Sequence, residues 1–210
     1  MNIEFSDRLK QLPPYLFAEI DKAKRQAKSE GRDIIDLGIG DPDSPTPQFI
    51  IDALSKAAQD GANHHYALDA GLPELRQTIA DWSKKRFGIT LDPATEIYPL
   101  IGSKEGLTHL PLGIINPGDK VLIPDPCYPA YRSSVMFAGG KVVSIELSEE
   151  NGFLPKLENL KNAKAIFLNY PNNPTAAVVT KDYLKNLRYQ NLYLLLQNDK
   201  CFGPCDQEIL

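Results

Sequence analysis

The chain has 210 residues, 42% apolar and 24% charged, which suits one large globular domain or two small ones around a buried core. Its 27 acidic against 23 basic residues give a net charge of −4, and no Lys/Arg run is interleaved with aromatics, which argues against a nucleic-acid partner. Met1-Asn-Ile-Glu-Phe-Ser-Asp7 lacks the basic-then-apolar pattern of a secretory signal, and no apolar run approaches the roughly 18 residues of a membrane span, so a cytoplasmic location without membrane contact is expected. Cys127, Cys201 and Cys205 are too few for a disulfide framework. With no histidine after His109, Cys201 and Cys205 also lack the ligand number and spacing of a zinc site.

In chain order, Tyr15 to Ser29 reads as an amphipathic helix closed by Gly31, and Ile34 to Leu37 as a short strand entering the loop Gly38-Ile-Gly-Asp-Pro-Asp43. Thr46 is expected to cap a helix that starts at Pro47, is apolar at Phe49, Ile50, Ala53, Leu54 and Ala57, and stops near Gly61. A third helix follows Gly71, with Leu72, Leu75, Ile79 and Trp82 on one face. From Ile97 the pattern alternates strand and helix, with turns at Asn116 to Asp119 and at Gly139-Gly140. Such alternation implies an α/β fold with a mainly parallel sheet covered by helices. Residues 1–45 read as an N-terminal arm and 46–187 as part of one large α/β domain. Residues 188–210 change character: 192–196 could continue as a buried strand, but Cys201 to Leu210 has no periodicity and reads as the ending a frameshift or truncation leaves.

Three strand-like runs end in polar segments: Ile97 to Ile101 in Gly102-Ser-Lys-Glu-Gly106, Lys120 to Pro124 in Asp125-Pro-Cys-Tyr-Pro-Ala-Tyr131, and Ala163 to Leu168 in Asn169-Tyr-Pro-Asn-Asn-Pro-Thr175. Open α/β sheets bind ligands at strand ends. The first segment opens a helix, so its backbone amides, the positive end of the dipole and the Ser103 hydroxyl can receive a phosphate, though any serine-capped helix after a strand looks alike. Tyr128 stands between prolines that restrict its backbone and suits stacking on a flat ring; a rim or core tyrosine is the plainer reading. Asn173 before Pro174 could simply form a turn, and Lys104 could be a solvated surface lysine.

Together these segments resemble the pyridoxal-phosphate aminotransferases of the aspartate aminotransferase fold, class I/II, from near the N-terminus to about Leu187. The resemblance implies part of the large domain of that fold, with helices on both faces of the sheet, and pyridoxal 5'-phosphate as cofactor. It implies that the Ser103 loop takes the cofactor phosphate, that Tyr128 stacks on its ring and that Asn173 donates to its phenolic oxygen. Tyr66, in His64-His-Tyr-Ala-Leu-Asp-Ala-Gly71, matches a tyrosine that reaches the phosphate of the neighbouring subunit, which implies a homodimer. Gly40 falls in the substrate-covering loop, where a backbone amide approaches the substrate carboxylate.

Within the family the pattern is most similar to the diaminopimelate-type members, to which Lys104 and a substrate-facing tyrosine at Tyr15 also correspond. Asp69 stands where they carry a glutamate for the substrate's distal ammonium, one methylene shorter. The implied reaction moves an amino group between LL-diaminopimelate, or a similar amino acid, and a 2-oxo acid such as 2-oxoglutarate, in lysine biosynthesis. The alternatives are an aspartate, alanine or aromatic aminotransferase, a carbon-sulfur lyase of the same fold, or a non-catalytic fragment. Asp199 is the candidate partner of the pyridine nitrogen. Of the lysines after Asn173, Lys181 and Lys185 lie in a predicted helix and do not fit the family's Schiff-base lysine, Lys200 stands next to Asp199, and the carboxylate-gripping arginine and small domain find no match, so the chain as given is expected to be catalytically incomplete. Ala176 departs from the family's usual glycine after Asn-Pro-Thr, a strain if the position requires a positive φ.

Overall fold

The computed structural model describes residues 4–12, 14–38, 40, 43–66, 70–156, 162–188 and 193–197. It divides into two compact units, Met1–Leu68 and Asp69–Leu210.

In the first unit, helix α1 (Asp7–Lys10) precedes α2 (Leu16–Ser29), whose end turns back through Gly31 at φ 75. Lys24 on α2 pairs with Asp36 at 3.1 Å and Asp21 at 3.4 Å, fastening the segment after the helix to its side. The expected strand from Ile34 to Leu37 is not formed: Ile35 and Leu37 are exposed, and the described residues offer no strand to pair with them. Three apolar residues in a run of four signal a strand only if a neighbour supplies the ladder. Helix α3 (Gln48–Gln59) begins one residue later than expected, with Pro47 rather than Thr46 at the N-cap and no side-chain cap.

The second unit opens with α4 (Pro73–Phe87), started by Pro73 and closed by left-handed Gly88. Its apolar stripe is placed differently from the periodicity: the buried positions are the small Ala80 and Ser83, while Leu72 and Leu75 are exposed and Trp82 is 56% exposed. Trp82 instead packs edge-on against Phe87, ring centroids 5.1 Å apart. Spacing finds the faces of a helix; it does not say which face has a neighbour. The expected strand from Ile97 to Ile101 is also absent. Ile97 is buried but Ile101 is 92% exposed, and Pro99 has no N–H to give to a ladder.

Beyond this point the alternation holds. Helix α5 (Ser103–Ile114), strand β1 (Lys120–Asp125), helix α6 (Ala130–Phe137), strands β2 (Lys141–Glu146) and β3 (Ala165–Asn169), helix α7 (Lys181–Arg188) and strand β4 (Tyr193–Gln197) build a four-stranded sheet in the order β2-β1-β3-β4, every described pairing parallel. Between β2 and β3 the described residues hold only a single 3-10 turn, Glu149–Asn151.

Side chains alternate across the strands, so the sheet has two cores. On one face Val121, Ile123, Ala165 and Phe167 pack with Ile115 and with Tyr131 and Val135 of α6; on the other Leu122, Ile166 and Leu168 pack with Ile145, Leu147 and Leu187 of α7. At roughly 1.5–3 kcal/mol per fully buried large apolar side chain, these clusters outweigh exposed ion pairs worth about 0–1 kcal/mol each. The fold is therefore held by the continuous apolar runs 121–123 and 165–168 and capped on both faces by helices.

One charged pair joins the turn before β1 to the start of β3. Lys164 Nζ lies 2.7 Å from Asp119 Oδ2, which also accepts the Asn116 N–H at 2.7 Å. Lys164 first, then the Asn116 amide, hold the Asp119 carboxyl below its usual range. A lowered folded-state value means that the pair stabilises the fold above the ordinary aspartate range and loses that contribution as pH falls through the folded value. In chemical denaturation followed over pH 2 to 6, Asp119→Asn is expected to lower stability at pH 6 and to flatten the acid limb. A variant with an unchanged acid limb would show that this carboxylate does not report on folding.

Candidate active site at the strand ends

The parallel register of β1 and β3, Val121 opposite Ala165 and Leu122 opposite Ile166, brings Asp125 and Asn169 out at the same edge of the sheet. The two polar segments that follow therefore leave side by side.

After β1 the chain runs through Pro126 and half-buried Cys127 to Tyr128. Burial pushes the Cys127 thiol up, with Arg132 nearby opposing it. Tyr128 is half-buried and packs against the first core cluster. Its ring meets Tyr131 edge-on at 5.8 Å, and Tyr131, itself buried, stacks on Phe167 at 4.7 Å. A row of aromatics thus carries the rigidity of β3 out to Tyr128. Arg132 closes this end of the sheet, with Nη2 2.7 Å from Asp125 Oδ2 and Nη1 3.0 Å from Ser144 Oγ.

Helix α5 meets the same place. Gly102, its N-cap, has φ 78 and ψ 151, a backbone region essentially reserved for glycine, and a Cβ there would have no atom within 4 Å. Glu105 reaches back to accept the Ile101 N–H at 2.7 Å and fixes the entry to the helix. Ser103 is the first helical residue and is exposed; Lys104 follows, its Nζ 5.8 Å from the centre of the Tyr128 ring. The geometry therefore joins two segments that are 24 positions apart in the sequence, the α5 amino end and the ring of Tyr128.

After β3 the turn is densely bonded. Asn173 N–H donates to Asn169 Oδ1 at 2.7 Å, Asn172 Nδ2 donates to Thr175 Oγ1 at 2.8 Å, and Ala176 N–H donates to Asn172 O at 2.7 Å. Asn169 and Asn172 are buried, whereas Asn173 is exposed at the tip. Ala176 has φ 59, the left-handed conformation that the departure from glycine put at issue. An L residue there costs roughly 1–2 kcal/mol, partly offset by the greater chain entropy of glycine. Ala176→Gly is expected to stabilise the fold by about 0.5–1 kcal/mol in urea unfolding; a destabilised variant would contradict the conformation.

Of the other predicted residues, Tyr15, Gly40 and Tyr66 belong to the first unit. Tyr15 is the N-cap of α2, its ring 5.6 Å from that of Phe17; Gly40 is exposed with open space around it; Tyr66 is 93% exposed. Asp69, Asp199, Lys200, Cys201 and Cys205 lie outside the described residues. Lys181 and Lys185 are both on α7. Two features escaped the sequence reading: the bond from Asn173 to Asn169, signalled only by an asparagine four residues before the tip, and the Asp125–Arg132–Ser144 bracket, which has no sequence signal because its members sit on three elements. Among the described residues no group of three or more His, Cys, Asp or Glu could hold a metal, and no helix is long and apolar enough to cross a membrane.

The family model of aminotransferase class I and II matches residues 32–197. The chain belongs to this family. Class I and II aminotransferases work with pyridoxal phosphate. Among their curated members, the LL-diaminopimelate aminotransferase of Aquifex aeolicus is 53% identical over 189 residues, 88% of this chain and 49% of that protein. The enzyme of the same name from Halothermothrix orenii is 52% identical over 190 residues, again 88% and 49%. Among solved structures, aspartate aminotransferase from Thermus thermophilus with maleate superposes with a TM-score of 0.84 at 32% identity, covering 94% of this chain and 53% of that one. Apo-BacF from Bacillus subtilis gives 0.82 at 38%, covering 92% and 52%. The chain spans about half the length of the curated relatives it matches.

Proposed function

We propose that this chain is the cofactor-holding part of an aminotransferase that moves an amino group between LL-diaminopimelate, or a similar amino acid, and a 2-oxo acid such as 2-oxoglutarate, in lysine biosynthesis. The observation that carries the reading is the approach of Lys104 to the Tyr128 ring, which sets a helix amino end and a cation beside a clamped aromatic at a sheet edge. The donor set fits a phosphate monoester attached to a flat ring: a hydroxyl, a helix dipole and an ammonium for the dianion, and an aromatic face for the ring. Bound pyridoxal phosphate would supply an electron sink for the substrate's Cα.

The work of the chain is to bind and orient. Ser103 and the first turn of α5 hold the phosphate, with Lys104 balancing its charge and facing the substrate. Tyr128, backed by Tyr131 and Phe167, fixes the plane of the ring. The exposed carboxamide of Asn173 donates to the phenolic oxygen. Tyr66, exposed in the first unit, serves the phosphate of a second copy in a homodimer. The family resemblance assigns Tyr15, Gly40 and Asp69 to the substrate and Asp199 to the pyridine nitrogen. Support for diaminopimelate comes from the names of relatives that are about half identical to this chain.

Titration of the purified chain with pyridoxal phosphate, followed by absorbance and induced circular dichroism, tests this. Tyr128→Ala and Ser103→Ala are each expected to weaken binding about tenfold or more, since loss of about 1.4 kcal/mol suffices. Equal affinity in wild type and both variants would remove the site.

A further inference from the structure

We infer that Asn169 is a positioning residue for this site: its side-chain oxygen fixes the backbone of Asn173 and so aims the Asn173 carboxamide. The inference rests on the proposed cofactor site, but its physical core does not. Asn169 is the last residue of β3, paired in register with Gln197 of β4, and only 4% exposed. It is therefore fixed by the sheet. Its Oδ1 accepts the Asn173 N–H at 2.7 Å across a turn of four residues.

Other bonds lie within the turn: Asn172 N–H to Ala177 O at 2.8 Å, Asn172 Nδ2 to Thr175 Oγ1, Ala176 N–H to Asn172 O, and Ala177 N–H to Thr175 Oγ1 at 3.3 Å. They shape the loop, whereas the Asn169 bond ties the shaped loop to the strand. Asn173 is exposed, so little packing holds its direction. A short bond from a buried amide oxygen to the backbone of the residue that acts then fixes the direction in which its Cα–Cβ bond leaves the loop. An aliphatic residue at 169 would leave the loop intact and its aim loose; aspartate would keep an acceptor in the same place.

Two measurements on Asn169→Ala and Asn169→Asp test this, with Asn173→Ala as reference. Amide exchange by NMR, read at Asn173 against the amides of β3, is expected to quicken about tenfold in Asn169→Ala and to stay near wild type in Asn169→Asp, the loss of one hydrogen bond being worth about a factor of ten. If Asn169→Ala does not fold, Asn169→Gln, which displaces the oxygen by one methylene, serves in its place. In the second measurement, absorbance of bound pyridoxal phosphate is followed over pH. The loss of the phenolic proton is expected to move to higher pH in Asn169→Ala, in the direction of Asn173→Ala, and to be restored in Asn169→Asp. Unchanged exchange at Asn173 overturns the inference, as does a proton loss that moves in Asn173→Ala but not in Asn169→Ala. A wild-type chain that binds no pyridoxal phosphate refutes the proposed site, and the exchange measurement then decides the restraint alone.

Discussion

Phe167→Ala is expected to destabilise the fold by about 3–5 kcal/mol, much of what a typical domain has to lose. Phe167 is 0% exposed in the middle of β3, and its ring stacks on that of Tyr131 at 4.7 Å and an interplanar angle of 25°. Removing it deletes buried apolar surface, leaves a void between β3 and α6, and withdraws support from Tyr131 and, through it, from Tyr128. Urea unfolding measures the loss. Phe137→Ala, at the exposed end of α6, is the control and should cost well under half as much. Equal costs for the two would mean that the aromatic row is not the centre of the core. In any Phe167→Ala population that stays folded, pyridoxal phosphate should bind more weakly, because the Tyr128 ring has lost its backing.

The second large effect concerns covalent chemistry. A polypeptide of these 210 residues, incubated with pyridoxal phosphate and treated with borohydride, is expected to give no adduct on one particular lysine and no amino transfer from diaminopimelate to 2-oxoglutarate. Lys181 and Lys185 lie on α7, whose Leu187 packs into the second core, on the sheet face opposite the one backing Tyr128. Positioned proton transfer by a side chain contributes roughly 10²–10⁴-fold, and a chain with no lysine at the reacting carbon forgoes that factor along with the covalent hold on the cofactor. Mass spectrometry of the reduced, digested chain reads the first result and a coupled assay the second. A single modified lysine accompanied by turnover would show that one of the 210 residues already fills the role.

The second half of the fold was legible because its signals are local. Runs such as 121–123 and 165–168 are apolar without interruption, as strands buried on both faces must be, and are bounded by turn residues. The run from Ile97 to Ile101 is apolar too but is broken by Pro99 and ends exposed, and strand formation also depends on a neighbour that no local pattern reveals. Trp82 marked a real helical face that the core does not use. At the candidate site, the residues expected to bind by their type or by the family resemblance, Ser103, Lys104, Tyr128 and Asn173, fall on segments flanking one sheet, and Lys104 and Tyr128 meet directly. What supports them was not visible: no signal in the sequence assigned Tyr131, Phe167 or Asn169 a role of its own. Support is a property of packing, and packing joins residues far apart in sequence. The positive φ of Ala176 stood between these cases, foreseeable only from the glycine that the family resemblance implies there.

The position of β2 at one margin of the described sheet bears on solubility. An outer strand with unused N–H and C=O groups invites the strand of another molecule, and long flat apolar margins nucleate aggregates. Strand β2 offers little apolar length for that: it carries Lys141 and Glu146 at its two ends and exposed Val143 and hydroxyl-bearing Ser144 between them, with Ile145 as its one buried position. An approaching strand would have to pass a cation at one end and an anion at the other and strip water from both. The β2 margin of the described sheet thus discourages growth by strand addition, while β4 forms the opposite margin.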